Sequence, residues 1–441
     1  MAQPTADPTP SPGTLLQQLI RFDTTNPPGN EADCIDFIDA LLSAAGFDTE
    51  QFSRSPERPN LVARLDGAGT APPLLLYGHV DVVPADRQVW DHPPFSAERV
   101  GDYIWGRGAI DMKGGLAMML TALLAAKRQD LTPEGDIIFC ALSDEEAGGD
   151  YGARFMVDEH PALFDGVKYA IGELGGFTIH VGDQPFYLIQ VAEKQMCWLR
   201  AKLTGPGGHG AFPVRDGVMT DLGDALRNLT RRRLPLHVTP IAEEMISAMA
   251  AHAPKPHDSH LRQLINESTV EEGLAQLGSL RRLFDSILHN TASPTVVSGG
   301  EKINVIPSEV DLALDGRVLP SFTPQDLMDE IRTTANVDLD MSIERAGPPS
   351  REPDMGLFDL LHRTLEAADP DGVCVPFLTP GFTDGRYFAE LGIQTYGFLP
   401  MNLPKDYSFL GSVHAANEKV PAYALEFGRD VLLDVLERYG G

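Results

Sequence analysis

The run Leu74-Leu75-Leu76-Tyr77-Gly78-His79-Val80-Asp81 is apolar until its end, where a histidine and an acid stand two residues apart. Its short apolar body predicts a buried strand over Leu74–Tyr77. On an extended chain, residues two apart share a side, so His79 and Asp81 leave the strand end together. Asp81 can then accept a hydrogen bond from one imidazole nitrogen of His79, leaving the other for a metal ion. A purely structural His–Asp pair satisfies the same spacing.

Outward from this run, strands and helices alternate. Leu61–Leu65 and Asp136–Ala141 are further short apolar runs of strand character, and Gly114–Lys127 lies between as a helix. Upstream, Leu15–Ile20 begins a helix and Asn26-Pro27-Pro28-Gly29-Asn30 is a turn. Glu31–Ala45 places Ile35, Ile38, Leu41 and Leu42 at helical spacing, with Gly46 as its stop. The alternation predicts an α/β layer on a parallel or mixed sheet.

The middle of the chain reads differently. Gln195–Leu203, Thr295–Gly299, Glu309–Val318 and Val337–Glu344 have strand character, and Gly217–Thr230 and Pro324–Thr334 are helical. Once the helical, polar stretch 231–290 is set aside, the order is β-α-β-β-α-β, a ferredoxin-like α+β unit. Ala346–Pro353, with three prolines, is a linker. The expectation is a two-domain chain: an α/β domain over 1–190 and 347–441, interrupted by an inserted α+β domain over 191–346.

Composition narrows the function. A length of 441 residues with 43% hydrophobic content calls for two cores rather than one. A net charge of −28 repels phosphate backbones, so no nucleic-acid partner is expected. Cys34, Cys140, Cys197 and Cys374 form no C-x-x-C pair and read as buried thiols in a reducing compartment. Met1–Gly13 lacks the basic and apolar regions of a secretory signal, and Leu116–Ala126 is too short to cross a bilayer. The expected location is cytoplasmic, with no membrane partner.

Two other segments carry chemistry. Gly106-Arg107-Gly108-Ala109-Ile110-Asp111-Met112-Lys113-Gly114-Gly115 sets Asp111 in a Gly-rich turn that opens a helix. It is neither a P-loop nor a dinucleotide fingerprint; the plain reading of Asp111 is a helix N-cap. Phe139-Cys140-Ala141-Leu142-Ser143-Asp144-Glu145-Glu146-Ala147-Gly148-Gly149 puts three acids directly after an apolar strand. Such a run is commonly a solvated loop, yet ligands of α/β sheets sit at these strand ends. Neighbouring carboxylates repel unless a cation or proton intervenes.

In this order and spacing the three segments resemble the leading motifs of the M20 family of metallopeptidases, the aminoacylase, carboxypeptidase and deacylase clan of co-catalytic zinc hydrolases. The resemblance runs from about Leu15 to the C-terminus. It implies a zinc-peptidase-like catalytic α/β domain with an inserted lid, and a centre of two divalent ions, zinc first, with cobalt or manganese as substitutes. By resemblance, His79 ligates one ion, Asp111 bridges both, Asp81 supports His79, Glu145 is the general base and Glu146 binds the other ion. Glu173, in Tyr169-Ala170-Ile171-Gly172-Glu173, is the next ligand. His414, in His414-Ala415-Ala416-Asn417-Glu418, is the last. The Asp111–Met112 bond is expected to be cis.

The inserted domain resembles the family's lid. Gly207-Gly208-His209-Gly210 implies that His209 reaches the scissile carbonyl oxygen, and Asn304 and Arg317 imply a clamp for a substrate carboxylate. A plain turn and a surface ion pair are the alternatives. Gly381 and Thr383, in Gly381-Phe382-Thr383-Asp384-Gly385-Arg386, resemble a substrate-side loop. The resemblance thus implies an amidohydrolase for a small peptide or N-acyl amino acid with a free carboxylate. A carboxypeptidase or dipeptidase, an N-acyl-amino-acid hydrolase and a biosynthetic deacylase all fit, with a homodimer through the lid as an expected assembly. A serine hydrolase is disfavoured by the lack of a Gly-x-Ser-x-Gly elbow. A non-catalytic metal-binding protein is disfavoured because every expected position is filled.

Overall fold

The computed structural model describes residues 10–441. The expected N-terminal arm therefore lies, through residue 9, outside the described residues. Beyond it, Ser11 caps the helix Pro12–Ile20 by accepting the Thr14 N–H. The chain divides into two compact units. The first comprises Met1–Val191, Pro353–Pro376 and Thr383–Gly441; the second comprises Ala192–Glu352 with the short segment Phe377–Phe382. That segment groups with the insert, whereas the sequence places it in the closing part of the α/β domain.

In the first unit the strand Leu74–His79 lies between Ile137–Leu142 and Tyr169–Gly172, and both pairings are parallel. Leu74–His79 and Ile137–Leu142 are buried at every position. That explains their unbroken apolar runs: a parallel strand covered on both faces has no polar side to show. The antiparallel strands Pro59–Leu65 and Asp48–Ser53 extend one flank, and Gln394–Gly397 pairs in parallel with Tyr169–Gly172 on the other. The sheet is thus mixed. The helix Lys113–Arg128 is almost wholly buried beside it.

The second unit is a four-stranded antiparallel sheet in the order Thr291–Gly299, Glu309–Val318, Gln195–Thr204, Asp340–Ala346. Glu309–Val318 alternates in burial along its length, so one face is packed and the other wet. The packed face meets the helices Val218–Arg231 and Pro324–Ala335 through a core that includes Leu199, Leu222, Leu312, Leu327 and Ile331. Thr323 and Asp326 form a capping box on the second helix.

Two expectations need correction here. The edge strand starts at Thr291, four residues before the predicted Thr295, and its register shifts between Pro294 and Val296. Proline cannot donate to a ladder, which hid the strand from the pattern and is tolerated only at an edge or bulge. The 231–290 stretch is helical but has its own apolar core: Ile241, Met245, Met249, Leu261, Leu264, Leu274, Phe284 and Ile287 are buried. Ile241, Met245 and Met249 recur every four residues, a stripe that the average polarity of the segment obscures. No helix among the described residues is long and apolar enough to cross a membrane.

Candidate metal centre

Three neighbouring parallel strands deliver their next residues to one place. In the sheet His79 stands opposite Leu142, so Asp144, Glu145 and Glu146 follow just beyond the adjacent strand end. Glu173 directly follows the strand on the other side. His79 Nε2 is 3.3 Å from Glu173 Oε2 and 3.3 Å from Asp111 Oδ1. The Leu174-Gly175-Gly176 turn after Glu173 has a steric reason: a Cβ on Gly175 would stand 2.0 Å from the Gly397 carbonyl oxygen of the neighbouring strand.

Asp111 is not a helix cap. Met112 holds the N-cap position of Lys113–Arg128, and the Asp111–Met112 bond is cis, as expected. Gly114 lets the turn close, since a Cβ there would lie 2.2 Å from the Ala109 oxygen. The two carboxylate oxygens of Asp111 face different imidazoles. Oδ1 faces His79, while Oδ2 is 3.0 Å from His414 Nε2. His414 Nε2 is also 3.1 Å from Glu146 Oε2.

Two triads of ligand atoms lie within 4.8 Å of one another: His79, Glu145 and Glu173, and His79, Asp111 and Glu146. Both use His79, which has one ring nitrogen to give. Its Nδ1 faces the Asp81 main-chain oxygen at 2.9 Å, so Nε2 can serve a single ion. His414 supplies the second imidazole, and Asp111 stands between the two positions. Glu146 Oε1 is buried with no hydrogen-bond partner, an acceptor in want of a cation. Two imidazoles and several carboxylates without a thiolate form a donor set that suits zinc and its neighbours. The cluster is a two-cation centre.

Its electrostatics tell the same story. Burial, reinforced by the Glu173 charge, pushes the Glu145 carboxyl well above its ordinary range. Burial and the neighbouring Asp111 raise Glu146 to about 7. Burial opposes the charging of His79, but Glu173, Asp111 and Asp81 outweigh it and hold the imidazole well above its usual value. Hydrogen bonds that it donates to Asp111 and Glu146 lift His414 to about 10. Clustered carboxylates raise one another's proton affinity in this way when no cation lies between them.

Asp81 stands beside His79, as expected, and does more than that. His79 Nδ1 is nearer to the Asp81 main-chain oxygen than to its carboxylate, which stands at 3.4 Å. The carboxylate also accepts the N–H groups of Glu145 and Glu146, both at 3.1 Å, and Asn26 Nδ2 at 2.8 Å. It therefore holds the loop that carries the proposed base. Behind it, Asn26 also donates to Asp144 at 3.0 Å, and Arg58 pairs with both Asp144 and Glu31 at 2.8 Å. Asp144 has φ +71°, a left-handed conformation that these bonds help to hold.

Sequence reasoning missed Asn26, Arg58 and Glu31, as it did Asp384 and Arg386. The last two lie in the quoted 381–386 loop and bear electrostatically on Glu145. Thr383, expected at the substrate, is buried, and its Oγ1 accepts the Gly385 N–H at 3.0 Å. Gly381 is partly buried in the segment that belongs to the second unit.

In the second unit His209 is exposed on a two-residue strand paired with Val305–Ile306. Its Nδ1 accepts the Ala211 N–H at 3.1 Å, which fixes a tautomer with a proton on Nε2 when the ring is neutral. Asn304 is beside it, its carbonyl accepting the Gly210 N–H at 2.9 Å. Arg317 forms the ion pair named as its alternative, with two bonds to Asp315 at 2.9 and 3.0 Å. Its guanidinium also lies over the Phe382 ring, and its buried Nη1 has no hydrogen-bond partner.

Comparison with known proteins identifies the family. Probable carboxypeptidase S-like 2 of Dictyostelium discoideum is 27% identical over 378 residues, which is 79% of this chain and 68% of that protein. N-fatty-acyl-amino acid synthase/hydrolase PM20D1 of Mus musculus is 27% identical over 362 residues, 79% of this chain and 70% of its own. The structure of the M20 family metallo-carboxypeptidase Sso-CP2 from Sulfolobus solfataricus shares the fold, with a TM-score of 0.67 at 16% identity over 96% of this chain and 98% of that one. A family model described as Peptidase family M20/M25/M40 matches residues 75–438, a span that contains every residue of the two-cation cluster. The chain belongs to that family and is an M20-type metallohydrolase.

Proposed function

We propose that this M20 amidohydrolase cleaves the amide bond next to a free carboxylate, in a peptide or an N-acyl amino acid, in the manner of a carboxypeptidase or dipeptidase. The observation that carries the reading is Glu145, a buried carboxyl of raised proton affinity fixed by Asp81 at the edge of the cation cluster. His79, Glu173, Asp111, Glu146 and His414 would hold two divalent ions, whose Lewis acidity would polarise the scissile carbonyl and lower the pKa of water toward neutrality. Glu145 takes the proton of the attacking water and passes it to the departing nitrogen, and its raised proton affinity suits both transfers. Asp81 orients Glu145 through the main chain.

The reading assigns the oxyanion to the Nε2–H of His209, a contribution of roughly 3–4 kcal/mol for a donor of this kind. It assigns the substrate carboxylate to Asn304 and to Arg317, whose unpartnered Nη1 supports the role. Likeness to the mouse N-fatty-acyl-amino acid hydrolase favours a second reading, in which the acyl side of the bond is a fatty acid rather than an aminoacyl group.

The test is hydrolysis by zinc-loaded protein of dipeptides, N-acetyl and N-oleoyl amino acids, and the C-terminal amide of each. Cleavage of the free acids with at least a tenfold loss on the amides is expected. Equal rates on both would overturn the carboxylate assignment, and no cleavage of any substrate would overturn the activity. A preference for N-oleoyl over dipeptide substrates would select the second reading.

A further inference from the structure

The ion pair of Arg107 and Glu418 is wholly buried, at 1% and 0% side-chain exposure, and lies outside the ligand set. Glu418 Oε1 accepts the Ile110 N–H at 2.8 Å and the Asp111 N–H at 3.2 Å. Its Oε2 accepts the Gly108 N–H at 3.1 Å and Arg107 Nη1 at 2.8 Å. Arg107 then reaches the other side of the centre: Nη1 donates to the Ala415 oxygen at 3.1 Å and Nη2 to the His414 oxygen at 3.3 Å. Gln88 completes the frame, accepting from Arg107 Nη2 at 2.7 Å and donating to the His414 oxygen at 2.8 Å.

His414 needs such support. Its side chain is 49% exposed, so packing does not fix it. Its φ is +60°, and that of Asn417 is +62°, a strained region for residues with a Cβ. Asn417 is pinned in turn by reciprocal bonds with Asp91, at 2.8 and 3.0 Å. Beyond the contacts of the ring with Asp111 and Glu146, the surroundings grip the backbone of the loop.

We propose that Arg107, Glu418 and Gln88 form a positioning clamp for one cation position, that of His414, Asp111 and Glu146, and that its His414 arm, through Gln88 and Arg107, acts on that position rather than on the one at His79. The clamp binds the main chain of Asp111 and of His414, whereas Asp81 binds the main chain of Glu145 and Glu146. The inference rests on the reading of His414 and Asp111 as ligands. Groups behind a ligand typically change metal affinity by about 10–100-fold when removed.

The test is calorimetric titration of Co2+ into metal-free protein, together with thermal melts of that protein. The variants are Gln88→Ala, Arg107→Met and Arg107→Lys. Gln88→Ala leaves the buried pair intact, which keeps the test open if Arg107→Met fails to fold. Wild type should bind two ions. Gln88→Ala should bind one with unchanged affinity and the other at least tenfold more weakly, with its metal-free melting temperature unmoved. Arg107→Met should show the larger loss, and Arg107→Lys should recover part of it. Two unchanged affinities in Gln88→Ala and Arg107→Met, or equal weakening at both positions with a lowered melting temperature, would overturn the clamp. A wild type that binds fewer than two ions would instead bring down the ligand reading beneath it.

Discussion

The two sides of the cation centre are built by different means. His79, Glu145, Glu146 and Glu173 ride on the ends of three adjacent parallel strands, so the ladder that makes the sheet also sets their spacing. Asp111 and His414 come from loops far apart in the chain, and a buried ion pair holds their backbones. The exposures follow: the His79 side chain is 1% exposed and that of His414 is 49%. A ligand on a strand end inherits its position from the fold, while a ligand on a loop needs dedicated polar partners.

The largest expected effect lies on the strand-end side. Glu145→Gln should lower kcat by about 10²–10⁴-fold, the usual worth of a general base. The five ligands remain, so two ions should still bind by elemental analysis. Loss of both ions in this variant would make Glu145 a ligand, as its place in one triad permits, and would remove it as the base.

Arg58→Met asks whether the sheet alone fixes that side. The guanidinium joins Glu31 and Asp144, both buried. Removal of one partner of a buried pair costs roughly 3–5 kcal/mol, so a denaturant melt should lose that much stability. A loss below about 1 kcal/mol would mean that the strand ends need no charged backing.

How much of this could be read from residues alone follows the same division. The strand ends were legible because an apolar run closing on His-x-Asp or on three acids is a local pattern. Asp111 and His414 took their meaning from resemblance, since nothing within ten residues of either marks a ligand. The supports behind them stayed hidden because they are long-range: Arg107 and Glu418 are 311 residues apart, and Asn26 and Asp144 are 118. The apolar stripe of the 231–290 helices was lost beneath abundant surface charge.

His414→Ala probes the loop side. Bound Co2+ should fall from two ions to one, while the metal-free protein loses less stability than it does on removal of the buried His79, the loss coming from the Asp111 and Glu146 carboxylates left without their imidazole partner. His79→Ala should also lose an ion but should shift the melt clearly, because it empties a buried site among carboxylates. Equal shifts in the two melts would erase the distinction between the two sides.

The smallest effect is a count of protons. Hydrogen bonds donated to Asp111 and Glu146 raise His414 to about 10, so in metal-free protein its ring is charged below that pH. An imidazole must be neutral to ligate, so binding at this position expels a proton. The sign follows: affinity falls as pH falls, by about tenfold per unit between pH 7 and 9 if one proton is released. Below about 7 the dependence should steepen, because burial and Asp111 raise Glu146 to about 7 and its proton must leave as well. Titrations at pH 8 in two buffers of different ionisation heat give the number released. His414→Ala should release about one proton fewer than wild type over all bound ions. An unchanged count would mean that the proton lost on binding comes from the strand-end side, and that His414 binds no ion.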